Sequence, residues 1–73
     1  MKTQGFEYFD LSIRRKRRSA MAFVLGLLAM MKSAEEAFIY GVPHDQMESV
    51  SVENAELSID CILEAIDILM DAY

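Results

Sequence analysis

The chain has 73 residues, of which 53% are hydrophobic, and its formal net charge is −5 at pH 7. A domain of this length cannot bury so many apolar side chains in its own core. The composition therefore favours self-association or binding to a partner. With one cysteine, Cys61, and one histidine, the composition excludes an intramolecular disulfide and the usual Cys/His zinc sites, so we expect a cytoplasmic location.

The charge is distributed unevenly along the chain. Residues 1–44 carry seven basic and four acidic side chains, whereas residues 45–73 carry eight acidic side chains and no Lys or Arg. This asymmetry indicates either that the two halves pair with each other or that one half attracts a charged partner.

Residues 1–10 are predicted to form an N-terminal arm, and the first helix is predicted over residues 11–40. Gly5 and the aromatic residues around it fit an extended segment as well as an early helical turn, so both interpretations of the arm stay open. The helix carries five consecutive basic residues at 14–18, followed by the almost wholly apolar residues 20–31. Because this run is apolar all round, we expect it to be covered all round.

The same order of basic and apolar residues is typical of a secretory signal. Cleavage after the apolar run, however, would leave a single amphipathic helix, which does not make a stable domain. A helix over residues 20–31 spans about 18 Å, against roughly 30 Å of hydrocarbon in a bilayer. The run is therefore too short to cross a membrane.

A turn is predicted at residues 41–44, where Gly41 suits a left-handed C-cap and Pro43 stops the first helix. The second helix is predicted over residues 45–72, because Asp45 and Glu48 have the spacing of a capping box. Ser51 is an alternative start, since the valines on either side of it weaken the first helical turns.

Helix 2 carries apolar residues at spacings of three and four, a heptad seam that runs from Val52 to Leu69. A second apolar stripe lies about 120° away, so the apolar arc is about twice as wide as one neighbouring helix can cover. The sequence therefore predicts one all-α domain over residues 1–73, an antiparallel two-helix hairpin that dimerises into a four-helix bundle. The predicted core and dimer-interface residues are Ala20, Phe23, Val24, Leu27, Leu28, Met31, Ile59, Ile62, Ile66 and Leu69.

The acidic residues of helix 2 fall on one narrow ridge between its apolar stripes. The simpler interpretation is a solvated face that keeps an apolar assembly soluble. The alternative is a docking strip for a basic protein surface, because no Lys or Arg of this helix neutralises the ridge. The candidate docking residues are Glu53, Asp60, Glu64 and Asp67.

The basic cluster consists of Arg14, Arg15, Arg17 and Arg18. In an antiparallel hairpin Arg14 faces Asp71 and Arg18 faces Asp67, so we expect the cluster to relieve the unfavourable acids at the C-terminal end of helix 2. The alternative is phosphate binding. By shape alone the layout is similar to that of small helical-hairpin dimers such as the plasmid RNA-binding regulator Rop, with which it shares no motif. That likeness would imply RNA binding through the basic cluster, which the acidic composition opposes.

The sequence contains no catalytic, cofactor-binding or metal-binding motif that stands out. His44 and Glu48 could share a helix face, but a lone His is more typical of a turn, and Cys61 on an apolar stripe is typical of an inert thiol. We therefore expect a small non-enzymatic homodimer without a cofactor, an interaction or regulatory module that docks a partner through the acidic ridge or an apolar face. The alternatives are an RNA-binding regulator and a peripheral membrane protein, both using the basic cluster.

Overall fold

The computed structural model of the protein describes residues 10–73, so the predicted N-terminal arm lies outside the described residues except for Asp10. Within this range the chain forms helix α1 (Arg14–Tyr40), a short 3-10 helix (His44–Gln46) and helix α2 (Val50–Ala72), with no strand. The two α-helices pack side by side and run antiparallel, since Arg14 contacts Ala72 across the open end. This confirms the all-α helical hairpin.

Helix α1 begins at Arg14, three residues later than predicted. The backbone N–H of Ser12 donates to the Asp10 carboxylate at 3.0 Å, a local turn that keeps these residues out of the helix. Ile13 then takes the N-cap position in an extended conformation and offers no side-chain hydrogen bond. The first helical turn contains no acidic residue, so no carboxylate of that turn stabilises its exposed N–H groups.

The connection between the helices spans residues 41–49 and is longer than the predicted turn at 41–44. Gly41 lies in the right-handed helical region, with φ −84° and ψ −5°, so the predicted left-handed cap does not form. Instead its N–H donates to the carbonyls of Ala37 and Phe38 at 3.1 and 3.2 Å, which extends the hydrogen bonding of α1. Pro43 follows in an extended conformation and ends the helix.

Helix α2 begins at Val50, five residues later than the predicted start at residue 45. The expected capping box at Asp45 does not form, because this residue belongs to the 3-10 helix that closes on the Pro43 carbonyl. Ser49 takes the N-cap position, and its hydroxyl accepts a hydrogen bond from the Val52 N–H at 3.3 Å. A serine with this geometry satisfies one of the orphan donors that every helix start presents.

The hairpin buries very few side chains. Among the described residues only Val52, 1% exposed, and Ala55, 4% exposed, are buried. The molecule measures 53 × 25 × 15 Å, so it is a single layer of two helices. Burying one large side chain contributes about 1.5–3 kcal/mol, whereas ordering one residue costs about 1–2 kcal/mol. A core of this size does not stabilise two long helices in isolation.

We expect Ser49→Ala to lower the free energy of unfolding by about 1 kcal/mol, because it removes the hydroxyl that caps α2. Ser51→Ala is the matched control, since Ser51 is exposed inside the first turn and makes no hydrogen bond within residues 10–73 through its side chain. Urea unfolding followed by circular dichroism measures both changes. Equal stability of the two variants would contradict the cap.

Candidate functional site

The heptad seam of α2 lies against α1. Its side chains are buried at Val52 and Ala55 and half-buried further along the helix. The α2 members of the predicted core and interface set all lie in this contact between the helices: Ile59, Ile62, Ile66 and Leu69.

The α1 members of that set are divided between two sides of the helix. Leu28 is half-buried on the side that contacts α2. Ala20 is half-buried on the other side, in line with the exposed members of the set, which are Phe23, Val24, Leu27 and Met31. Helix α1 contacts α2 mainly through a different seam, with half-buried side chains at Met21, Leu25, Leu28, Lys32 and Ile39. Residues 20–31 are apolar all round, so no periodicity in the sequence marks which side of α1 faces α2.

A stripe of exposed apolar side chains runs along α1. Its members recur at spacings of three and four, which places them on one side of the helix, about 115° from the side that contacts α2. The stripe consists of Phe23, Val24, Leu27, Met30, Met31 and Phe38.

A second exposed apolar stripe runs along α2, about 150° from the side that contacts α1. Its members are Val50, Leu57, Cys61 and Ile68, at spacings of seven and four. Cys61 is thus exposed in the hairpin, whereas the sequence suggested a buried thiol.

The two stripes share one broad surface of the hairpin. When each helix is viewed from its N-terminus, its stripe is rotated about the helix axis in the same sense from the side that contacts the other helix. Because the helices are antiparallel, these two rotations bring both stripes to the same surface of the hairpin. We call this surface the apolar face. At about 1.5 Å per residue the stripes span about 22 Å from Phe23 to Phe38 and about 27 Å from Val50 to Ile68. With a usual interaxial distance the apolar face therefore measures about 27 Å by about 20 Å, or roughly 500 Å².

The acidic ridge lies on the side of α2 that faces away from α1, next to the exposed stripe of that helix. It consists of six exposed carboxylates, at Glu53, Glu56, Asp60, Glu64, Asp67 and Asp71. Within residues 10–73 none of them forms an ion pair, because the two ion pairs of this range are Lys16–Asp10 and Lys32–Glu36. The candidate docking carboxylates therefore stay available to solvent in the hairpin.

The basic cluster lies beside the C-terminal end of α2, but it does not form the predicted pairs with Asp71 and Asp67. The Arg14 guanidinium donates instead to the Ala72 carbonyl at 3.0 Å and lies 4.9 Å from the centre of the Tyr73 ring. A carbonyl at a helix C-terminus carries the negative end of the helix dipole, so a cation is favourable there. Arg14 thus caps α2 rather than pairing with a carboxylate.

Two more cations of the run turn back toward the segment before α1. Arg17 donates to the Leu11 carbonyl at 3.0 Å, and Lys16 pairs with Asp10 at 2.6 Å. The hydrogen bond from Lys16 holds the pKa of Asp10 well below its usual range. The resulting stabilisation is present above the ordinary carboxyl pKa and is lost as the pH falls through the lowered value; it is small, because the pair is exposed.

Arg15 and Arg18 make no hydrogen bond or ion pair with the other described residues through their guanidinium groups. They lie three residues apart and point away from α2. A stripe of small residues on the same side includes Gly26, where an added Cβ would meet nothing within 4 Å. Within the hairpin, therefore, neither these two arginines nor the stripe of small residues is covered by another helix.

No group of three His, Cys, Asp or Glu side chains within residues 10–73 is placed to hold a metal ion. A shallow groove beside the turn is lined by neutral residues, among them Phe38, Pro43 and Ser51. In the part of the chain that the structure describes, no helix is both long and apolar enough to cross a membrane. The chain matches no protein-family model, and no curated protein or solved structure matches it.

We expect Arg14→Met to lower the free energy of unfolding by about 1 kcal/mol, because it removes a charged hydrogen bond and a contact with the Tyr73 ring. Arg18→Met is the control with the same change of charge. Thermal unfolding of both variants at equal protein concentration makes the comparison. A loss of stability no larger for Arg14→Met than for Arg18→Met would show that the cap contributes nothing.

Proposed function

We propose that the protein is a small non-enzymatic interaction or regulatory module that works as a homodimer. Two hairpins pack through their apolar faces and form a four-helix bundle. The observation that supports this proposal is the apolar face, a continuous surface of exposed apolar side chains shared by both helices of a single-layer hairpin. Such a surface gains a large favourable free energy when it is removed from water.

The size of the apolar face suits an interface between two copies. Exposed apolar patches on monomeric proteins rarely exceed a few hundred Å², and a stable interface buries about 800 Å² from each partner. The apolar face, at roughly 500 Å², lies at the upper end for a monomer and would form the apolar centre of an interface of that size. A second copy offers an equal area of the same character, which satisfies the self-complementarity that a two-fold interface needs.

The acidic ridge would remain on the outside of such a dimer. Its carboxylates lie beside the apolar face on the side of α2 that faces away from α1, with no cation of residues 10–73 within ion-pair distance. An unneutralised row of one sign attracts a surface of the opposite sign and fixes its orientation. We therefore assign the ridge to the docking of a basic protein surface, with Asp60 and Glu64 at its centre.

We expect Leu27→Asp to abolish dimerisation, with a dissociation constant at least about 100-fold higher, because a carboxylate at the centre of the apolar face would be buried without a partner. Leu63→Asp is a closely matched control, since Leu63 is 43% exposed and Leu27 is 45% exposed, but Leu63 lies away from the apolar face. Light scattering behind a sizing column measures the mass, and circular dichroism measures the helix content. Dimers of unchanged affinity in the Leu27→Asp variant would refute the proposal.

Charge reversal tests the ridge separately. We expect Asp60→Lys with Glu64→Lys to leave the dimer intact and to weaken binding of a fluorescent oligolysine peptide by at least about tenfold, because two attractive contacts become repulsive. Asp45→Lys with Glu48→Lys makes the same change of net charge at two exposed residues of the connection between the helices. Fluorescence anisotropy at constant salt compares the pairs, and equal weakening by both would exclude the ridge as the docking site.

A further inference from the structure

The apolar face could receive a second copy in two ways related by a two-fold axis. With the axis along the helices, both turns lie at the same end and α1 of each copy packs on α2 of the other. With the axis across the helices, the turns lie at opposite ends, and α1 packs on α1 while α2 packs on α2. The charges of the two helices distinguish these arrangements.

The two helices have opposite charge. Helix α1 carries six basic and two acidic side chains, whereas α2 carries six acidic side chains and no basic one. A contact between two α2 helices would bring two rows of carboxylates together without a counter-charge, and like charges at close range are unfavourable. Packing α1 on α2 alternates the sign around the bundle, so that each helix has two neighbours of opposite charge.

We propose that two copies associate with their turns at the same end, so that α1 of one copy packs on α2 of the other. This inference rests on the proposed homodimer. The contact of Arg14 with Ala72 sets the level of the helices within a hairpin, and an axis along the helices preserves that level between copies.

Disulfide trapping tests this arrangement. Leu27 lies within one helical turn of the level of Cys61, so Leu27→Cys with the native Cys61 places two thiols across the proposed interface. The controls are the unaltered protein, which carries Cys61 alone, and Leu27→Cys with Cys61→Ser. Each protein is oxidised with diamide at low concentration and examined on a non-reducing gel.

We expect a covalent dimer in high yield from Leu27→Cys with native Cys61 and little from either control. Rapid covalent dimerisation of both controls would overturn the inference, because it would place like helices together and leave the homodimer itself intact. Light scattering on the unoxidised proteins distinguishes the two failures: a monomeric native protein would refute the homodimer and, with it, the arrangement.

Discussion

Two helices lying side by side cover each other on one side only, and this constraint governs the whole molecule. Both helices carry apolar side chains on two sides. The contact within the hairpin covers one side of each helix, and the other sides together form the apolar face. Val52 and Ala55 are the whole buried core of the described residues. Since hydrophobic burial must offset the entropy of ordering the chain, we infer that folding of this protein is linked to the covering of that face.

The charges complement this account at the open end of the hairpin. The N-terminus of α1 carries basic residues and the C-terminus of α2 carries acidic ones, and each is unfavourable for its own helix dipole. Arg14 relieves part of this conflict by reaching the Ala72 carbonyl. The same division of charge, one sign for each helix, provides the reason to expect unlike helices to meet when two hairpins associate.

The sequence predicted the hairpin because a strong helical periodicity identifies a helix without knowledge of the tertiary structure. The heptad seam of α2 does face α1. It did not predict which side of α1 meets α2, since a helix that is apolar all round has no marked side. The start of α2 at Val50 lies one residue from the alternative at Ser51 and five residues from the start predicted at residue 45. Asp45 and Ser49 are both suitable caps, and the 3-10 turn after Pro43 decides between them. Arg14 was expected to pair with a carboxylate, but its guanidinium donates instead to the backbone carbonyl of Ala72 at the end of α2.

The central claim is that covering the apolar face and folding are one event. The measurement that tests it most directly is light scattering behind a sizing column, combined with circular dichroism on the same samples, over a wide concentration range at low and high salt. The account predicts twice the chain mass of 8.3 kDa, persistence of the dimer in high salt, and loss of helix content on dilution at the point where the mass falls. A fully helical monomer at low concentration would contradict it.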